Sequence, residues 1–159
     1  MVTAFDIAAT VADPEMPVVT IADLGILRDA VVDGGTAKVT ITPTYSGCPA
    51  MDTIRADIAR AFRDAGYPDV DITTVYAPAW TTDWITESGR RKLADSGIAP
   101  PGPTGSRRDL PLLLGDRSPR CPRCESAQVS ELSRFGPTAC TSLWRCESCR
   151  EPFEHVKAH

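Results

Sequence analysis

The feature that most constrains this fold is a repeated Cys-x-x-Cys pattern near the carboxyl end, with twenty-one residues between the two pairs. A two-residue gap lets both thiolates of a pair bind one cation, and four thiolates in a tetrahedron suit zinc. Such a short segment has too little core to fold without its metal. The sequence therefore predicts a structural zinc site with four ligands: Cys121, Cys124, Cys146 and Cys149.

Three short stretches around these pairs have the composition of β-strands, namely residues 129–132, 141–144 and 152–156. Together with the cysteines they predict a zinc ribbon over residues 116–159. His155 and His159 are expected to face solvent, because four thiolates already complete a tetrahedral site.

Two other uses of the same cysteines stay open at this point. Four thiolates can also hold one iron, as in rubredoxins, which would make the segment a one-electron carrier. A redox dithiol would explain only one of the two pairs. Cys140 is surplus to a tetrahedral site. Three roles stay open for it: a buried packing residue, an alternative ligand, or a second reactive thiol facing Cys48.

The second informative stretch joins a strand to a helix through Gly47-Cys48-Pro49. Residues 38–42 alternate polar and apolar side chains, which is typical of a half-buried strand. Residues 51–65 carry apolar side chains at three- and four-residue steps, which predicts an amphipathic helix with Pro49 at its first position. Cys48 then lies at or beside the N-cap, where free N–H groups and the helix dipole favour a thiolate. An isolated cysteine is also commonly an inert, buried apolar residue.

The order of elements before residue 98 predicts an α+β domain. The amphipathic helix over 51–65 is preceded by a short helix capped by Thr3, a strand over 26–32 and a hairpin at Gly34-Gly35. It is followed by a third strand over 71–76. A further helix with Asp83 as its cap is expected to end near Gly97. The predicted fold is a small mixed sheet covered by helices in residues 1–98, a proline-rich linker or strap over 99–115, and the ribbon.

Charge and hydropathy exclude several classes of function. The 159 residues carry a net charge of −4 with a pI of about 5.1, which gives no general attraction to nucleic acid or anionic membrane. Residues 116–159 contain seven basic and six acidic side chains, so the ribbon has no basic footprint. No stretch is apolar and long enough to span a membrane, and the start lacks a signal sequence, so we expect a cytoplasmic protein.

Three motifs in order resemble the iron-sulfur cluster assembly domain of metal-sulfur maturation factors: Asp13-Pro14-Glu15, Asp23-Leu24-Gly25 and Thr42-Pro43-Thr44-Tyr45-Ser46-Gly47-Cys48-Pro49. That resemblance covers about the first hundred residues. The whole chain is similar to the D subunits of bacterial phenylacetyl-CoA ring epoxidases, through residues 97–101, 135–140 and 151–153 as well.

The resemblance implies an accessory or maturation component of a multicomponent di-iron oxygenase in phenylacetate degradation, not the catalyst itself. Cys48 would be the thiol that transiently holds iron or an iron-sulfur cluster, with Asp13, Glu15 and Asp23 near it as shaping or ligand groups. Asp13 would otherwise simply shape its loop. Implied partners are the epoxidase reductase or oxygenase subunits, the iron-sulfur assembly machinery or a second copy of the chain. A purely structural oxygenase subunit is the remaining alternative.

Overall fold

The computed structural model describes residues 1–104 and 118–159, which fall into two compact units, Met1–Gly89 and Arg90–His159. The predicted linker over 99–115 and the start of the predicted ribbon at residue 116 lie largely or wholly outside the described residues. The domain limits derived from the sequence therefore stay a prediction. Within the described ranges, no helix combines the length and apolar character needed to cross a membrane.

A mixed three-stranded sheet forms the centre of the first unit, with the order β1-β2-β3. Its strands are β1 (Leu27–Asp33), β2 (Thr36–Ile41) and β3 (Val70–Thr74). β1 and β2 are antiparallel, and Asp33 pairs with Thr36 across the turn Gly34-Gly35, where both glycines have positive φ as the hairpin prediction requires. β3 is parallel to β2, with Val39 opposite Ile72. The predicted α+β class with a small mixed sheet is confirmed.

Two helices precede and follow the β1–β2 hairpin. α1 (Ala4–Ala8) is capped by Thr3, whose hydroxyl accepts from the N–H of Asp6 while the Asp6 carboxylate accepts from the N–H of Thr3. α2 (Ala50–Asp64) connects β2 to β3 and is amphipathic. The residues on its buried face are Ala50, Ile54, Ile58 and Phe62.

Two details at helix starts differ from the sequence-based prediction. Pro49 is the N-cap of α2 and not its first helical residue, so Cys48 lies one residue before the cap. Asp83 lies inside a 3-10 turn (Thr82–Trp84) capped by Thr81, and α3 (Glu87–Asp95) begins after it. The hydroxyl of Thr86 accepts from the N–H of Gly89 at 3.0 Å, which satisfies one free amide of α3.

A second sheet of four strands holds the cysteine pairs, with the order β4-β7-β6-β5. Its strands are β4 (Ile98–Ala99), β5 (Val129–Ser133), β6 (Thr141–Cys146) and β7 (Pro152–Val156). The last three match the predicted ribbon strands, and β4 adds a short parallel partner to β7. His155 is half-buried on β7, edge-to-face with Trp144 at 6.1 Å between ring centroids, so the expectation that it faces solvent is wrong. Burial lowers the pKa of its imidazole.

Candidate functional site

Cys48 opens onto a small cavity between the end of β2, the start of α2 and the segment after β3. The cavity has a volume of about 170 Å³. Cys48 itself is neither sealed nor fully exposed. The other residues that line the cavity are Pro43, Gly47, Met51, Asp52, Arg55, Thr74 and Tyr76.

The loop before α2 positions the cysteine through its backbone. The N–H of Cys48 donates to the carbonyl of Tyr45, and the N–H of Met51 donates to the carbonyl of Cys48, both at 3.3 Å. Gly47 adopts a φ of +82°, which an L-residue rarely adopts and which lets the chain turn immediately before the thiol. The Cys48 side chain is thus held in a turn at the amino end of a fifteen-residue helix.

Arg55 connects α2 to the edge strand β3 within the wall of the same cavity. Its guanidinium donates to the carbonyl of Ile72 at 3.2 Å and to the hydroxyl of Thr74. The arginine is half-buried, and both of its acceptors belong to β3, so it fixes the strand against the helix where Cys48 opens. Asp52, one turn earlier, is exposed.

The three carboxylates that the resemblance associates with Cys48 lie in the loops that precede β1 in the first unit. Among the described residues, the lining of the Cys48 cavity does not include Asp13, Glu15 or Asp23. Asp13 is buried, and its Oδ1 accepts from the N–H of Glu15 at 2.9 Å and of Met16 at 2.7 Å. This contact closes the loop around Pro14. Burial raises the pKa of the Asp13 carboxyl, although the two N–H groups act in the opposite direction.

The carboxyls of Glu15 and Asp23 have different surroundings. Partial burial and then the charge of Asp13 raise the pKa of Glu15. Asp23 is buried and accepts from the N–H of Thr20 at 3.0 Å through Oδ2, while its backbone carbonyl accepts from the N–H of Thr86 at 2.8 Å. The carboxylate of Asp23 therefore closes its own turn, and its backbone carbonyl joins this turn to the segment before α3.

The second unit brings all four predicted ligands of the ribbon together. Their Sγ atoms lie within 4.8 Å of one another. Cys121 Sγ is 3.7 Å from Cys149 Sγ, and Cys124 Sγ is 3.5 Å from Cys146 Sγ. A tetrahedron with metal–sulfur bonds of about 2.3 Å has edges of about 3.8 Å, so these two distances are close to the spacing that a tetrahedral ion requires. This arrangement fits a metal site.

Burial and hydrogen bonding distinguish the four thiols. Cys121 and Cys146 are buried, whereas Cys124 and Cys149 are exposed. The backbone N–H of Cys149 donates to Cys146 Sγ at 3.4 Å and is the main reason that the pKa of the Cys146 thiol falls to about 6. Cys140 lies outside this group, and its Sγ is 3.1 Å from the hydroxyl of Thr138.

The polar residues that share the cavity of Cys48 are not among the candidates that the sequence motifs indicated. Asp52 and Arg55 follow Cys48 at four- and seven-residue steps, which is the spacing of one helix face, so a local signal for them exists. Thr74 and Tyr76 reach the same cavity only because β3 pairs in parallel with β2, a contact between distant segments that no local pattern shows.

Comparisons with known proteins find a family model that matches part of each unit. Residues 106–157 match the model of a PaaD zinc beta ribbon domain, and residues 7–75 match that of an iron-sulfur cluster assembly protein. A protein of Escherichia coli (strain K12), named as the D subunit of a 1,2-phenylacetyl-CoA epoxidase, is 43% identical over 147 residues. The match covers 92% of this chain and 86% of that relative. The chain belongs to the family of phenylacetyl-CoA epoxidase D subunits.

More distant relatives of this family member match mainly the first unit. A Porphyromonas gingivalis protein named as an Fe-S protein maturation auxiliary factor is 35% identical over 86 residues, which cover 53% of this chain and 81% of that one. A domain of unknown function from Bacillus anthracis has a TM-score of 0.52 and 25% identity, over 57% of this chain and 87% of that one. The resemblance and the fold class drawn from the sequence are confirmed.

Proposed function

We propose that this chain is an accessory component of a phenylacetyl-CoA epoxidase and that it delivers iron or an iron-sulfur cluster to a partner subunit in the cytoplasm. The observation that carries this proposal is the placement of Cys48. Cys48 is half-buried and lines a cavity at the start of α2, and the loop on its amino side is turned by a glycine of positive φ. Membership in the family of epoxidase D subunits and the match of residues 7–75 to an iron-sulfur assembly protein support the assignment of cargo.

The number of thiols in the first unit supports delivery over permanent storage. Cys48 is the only cysteine between residues 1 and 104. Iron and iron-sulfur clusters are held by several thiolates when they are resident cofactors. A single thiolate holds iron less firmly than several thiolates do, so a partner offering more thiolates can take the cargo. The role of Cys48 in this step is to bind and orient, without a change in its own oxidation state.

The ribbon has a separate role in the proposal. Its four thiolates hold one zinc ion, which supplies folding free energy and no redox chemistry. The folded ribbon then presents a fixed surface to a reductase or oxygenase subunit. The convergence of the four sulfurs within 4.8 Å of one another supports a metal, and the preference of such sites for zinc supports the choice of ion.

One observation favours a competing function, an electron carrier of the rubredoxin type. Cys124 and Cys149 are exposed, which would bring an iron ion at this site close to solvent and to a redox partner. Elemental analysis of protein purified in the absence of oxygen separates the two functions. Colourless protein with one zinc per chain supports the ribbon as a structural element, whereas iron with a visible absorption band supports the carrier.

Reconstitution of the purified full chain with ferrous iron and sulfide tests delivery. The zinc-loaded protein is expected to acquire iron beyond the ribbon metal, with a charge-transfer absorption band, and to pass it to an apo reductase subunit. Cys48→Ser is expected to lose the extra iron. Cys140→Ser is the matched control, because it removes a thiol outside the Cys48 cavity and is expected to behave as the wild type. Equal iron uptake by the Cys48 variant would remove this thiol from the mechanism.

A further inference from the structure

Tyr76 is the most exposed aromatic side chain of the first unit, with an exposed fraction of 66%. It lies two residues after β3, in the wall of the Cys48 cavity and in the wall of a second cavity of about 110 Å³. Tyr45, which is 37% exposed, also lines the second cavity, and Pro43 lines both. We call Pro43, Tyr45 and Tyr76 the tyrosine rim beside Cys48. Exposed tyrosines are typical of surfaces that bind other proteins.

The backbone around Tyr76 is already held in place. Just before it, the N–H of Val75 donates to the carbonyl of Ile41 at 2.9 Å. Four residues after it, the buried Trp80 donates its indole N–H to the carbonyl of Leu24 at 2.8 Å. A partner that contacts Tyr76 therefore has to order little of the chain, which lowers the entropic cost of binding.

Delivery from Cys48 places the recipient of the iron on this same surface. The thiolates of the recipient have to bind the iron before Cys48 releases it, so they must enter a cavity of about 170 Å³. One water molecule takes about 30 Å³ in the liquid, so the cavity admits one or two side chains and no folded element. The surrounding surface of the recipient then lies against the residues at the opening, which include Pro43 and Tyr76.

The charge of the first unit restricts the chemistry of the recipient. Residues 1–89 carry thirteen Asp or Glu and five Lys or Arg, so this unit is strongly acidic. Asp52 lies exposed in the wall of the Cys48 cavity, whereas the Arg55 guanidinium in the same wall is bonded to β3. Opposite charge favours association and like charge opposes it, so the recipient is expected to present Lys and Arg around its cysteines.

We propose that the tyrosine rim is the docking surface for the reductase subunit that receives the iron, with Tyr76 as the main anchor and a positively charged surface on the reductase. This inference rests on the proposed function, because its partner is the recipient in that function. Docking itself needs no cargo, so Cys48→Ser is expected to bind the reductase as tightly as the wild type. Failure of delivery shows as unchanged iron uptake by Cys48→Ser, whereas failure of docking shows as unchanged affinity of Tyr76→Ala.

Biolayer interferometry of the zinc-loaded full chain against the purified apo reductase subunit, in the absence of oxygen, measures the Kd of docking. Tyr76→Ala is expected to raise the Kd by about tenfold or more, because truncation of a central aromatic anchor removes a large share of the binding energy. An increase in salt from about 50 to about 300 mM is also expected to raise the Kd, since salt screens the attraction between exposed charges.

Two further variants keep the test decisive. Phe5→Ala removes another exposed aromatic ring of the first unit, one outside the described lining of both cavities, and is expected to bind as the wild type does. Tyr76→Lys keeps a long side chain and adds a positive charge, so it is expected to weaken binding even if alanine disturbs the fold.

Three results would overturn the proposal. The first is a wild-type chain that does not bind the reductase, including one whose tyrosine rim pairs with a second copy of the chain instead. The second is a Kd for Tyr76→Ala and Tyr76→Lys that equals that of Phe5→Ala. The third is an affinity that stays constant or increases as salt is added, which would exclude a positively charged partner surface.

Discussion

The turn Asp23-Leu24-Gly25 offers a quantitative test of how the first unit is assembled. Gly25 has a φ of +74°, and a Cβ placed on it would lie 2.7 Å from Trp84 Cβ and 2.8 Å from the Trp84 carbonyl oxygen. Gly25→Ala therefore combines the strain of a left-handed backbone, about 1–2 kcal/mol, with overpacking of about 1–3 kcal/mol. We expect the free energy of unfolding to fall by about 2–5 kcal/mol.

Gly47→Ala provides the matched control for this substitution. Gly47 has a similar φ of +82°, but a Cβ there would meet no atom within 4 Å. Only the backbone strain remains, so a loss of about 1–2 kcal/mol is expected. Urea unfolding of the zinc-loaded proteins, followed by circular dichroism and tryptophan fluorescence, measures both values. Equal losses for the two variants would refute the argument that the backbone of Gly25 must lie against Trp84.

Three further predictions concern the carboxyl, ribbon and arginine contacts. Burial raises the pKa of Asp13 above its unfolded value, so ionisation of this group opposes folding, and this unfavourable contribution disappears as the pH falls through the raised folded-state pKa. Asp13→Asn should therefore flatten the pH dependence of the free energy of unfolding in acid, without lowering it at pH 7. Asp13→Ala should lower the free energy of unfolding by about 1–3 kcal/mol, because it removes the acceptor of two N–H groups. Equal losses for the two variants at pH 7 would contradict this account. Cys124→Ser should weaken metal retention against a chelator, and Cys140→Ser should not, as metal release followed with a colorimetric indicator will show. Arg55→Ala removes hydrogen bonds to Ile72 and Thr74 and should lower the free energy of unfolding by about 1–3 kcal/mol. An unchanged melting temperature would show that these bonds are dispensable.

The elements that the sequence predicted well depend on local chemistry. The Gly34-Gly35 turn fixes a hairpin because positive φ at both positions suits a two-residue connection, and Thr3 begins α1 because its side chain satisfies a free amide. The four-cysteine site was predictable because the spacing within each pair already dictates convergence on one ion. In each case neighbouring residues carry enough information.

The features that the sequence did not reveal depend on contacts between distant segments. β4 is two residues long and becomes a strand only by pairing with β7. The burial of His155 follows from its packing against Trp144 across the sheet. The cavity at Cys48 needs Thr74 and Tyr76, which are brought there by parallel pairing of β2 with β3.

The central claim is that the Cys48 thiol is needed to deliver iron or a cluster to a partner subunit. The most direct measurement is the iron-sulfur content of the epoxidase reductase component after co-expression with wild-type, Cys48→Ser or Cys140→Ser chain. Our account predicts a reductase depleted of cluster with the Cys48 variant and fully loaded with the Cys140 variant, at equal levels of folded, zinc-containing accessory protein. Full cluster occupancy with Cys48→Ser would contradict it.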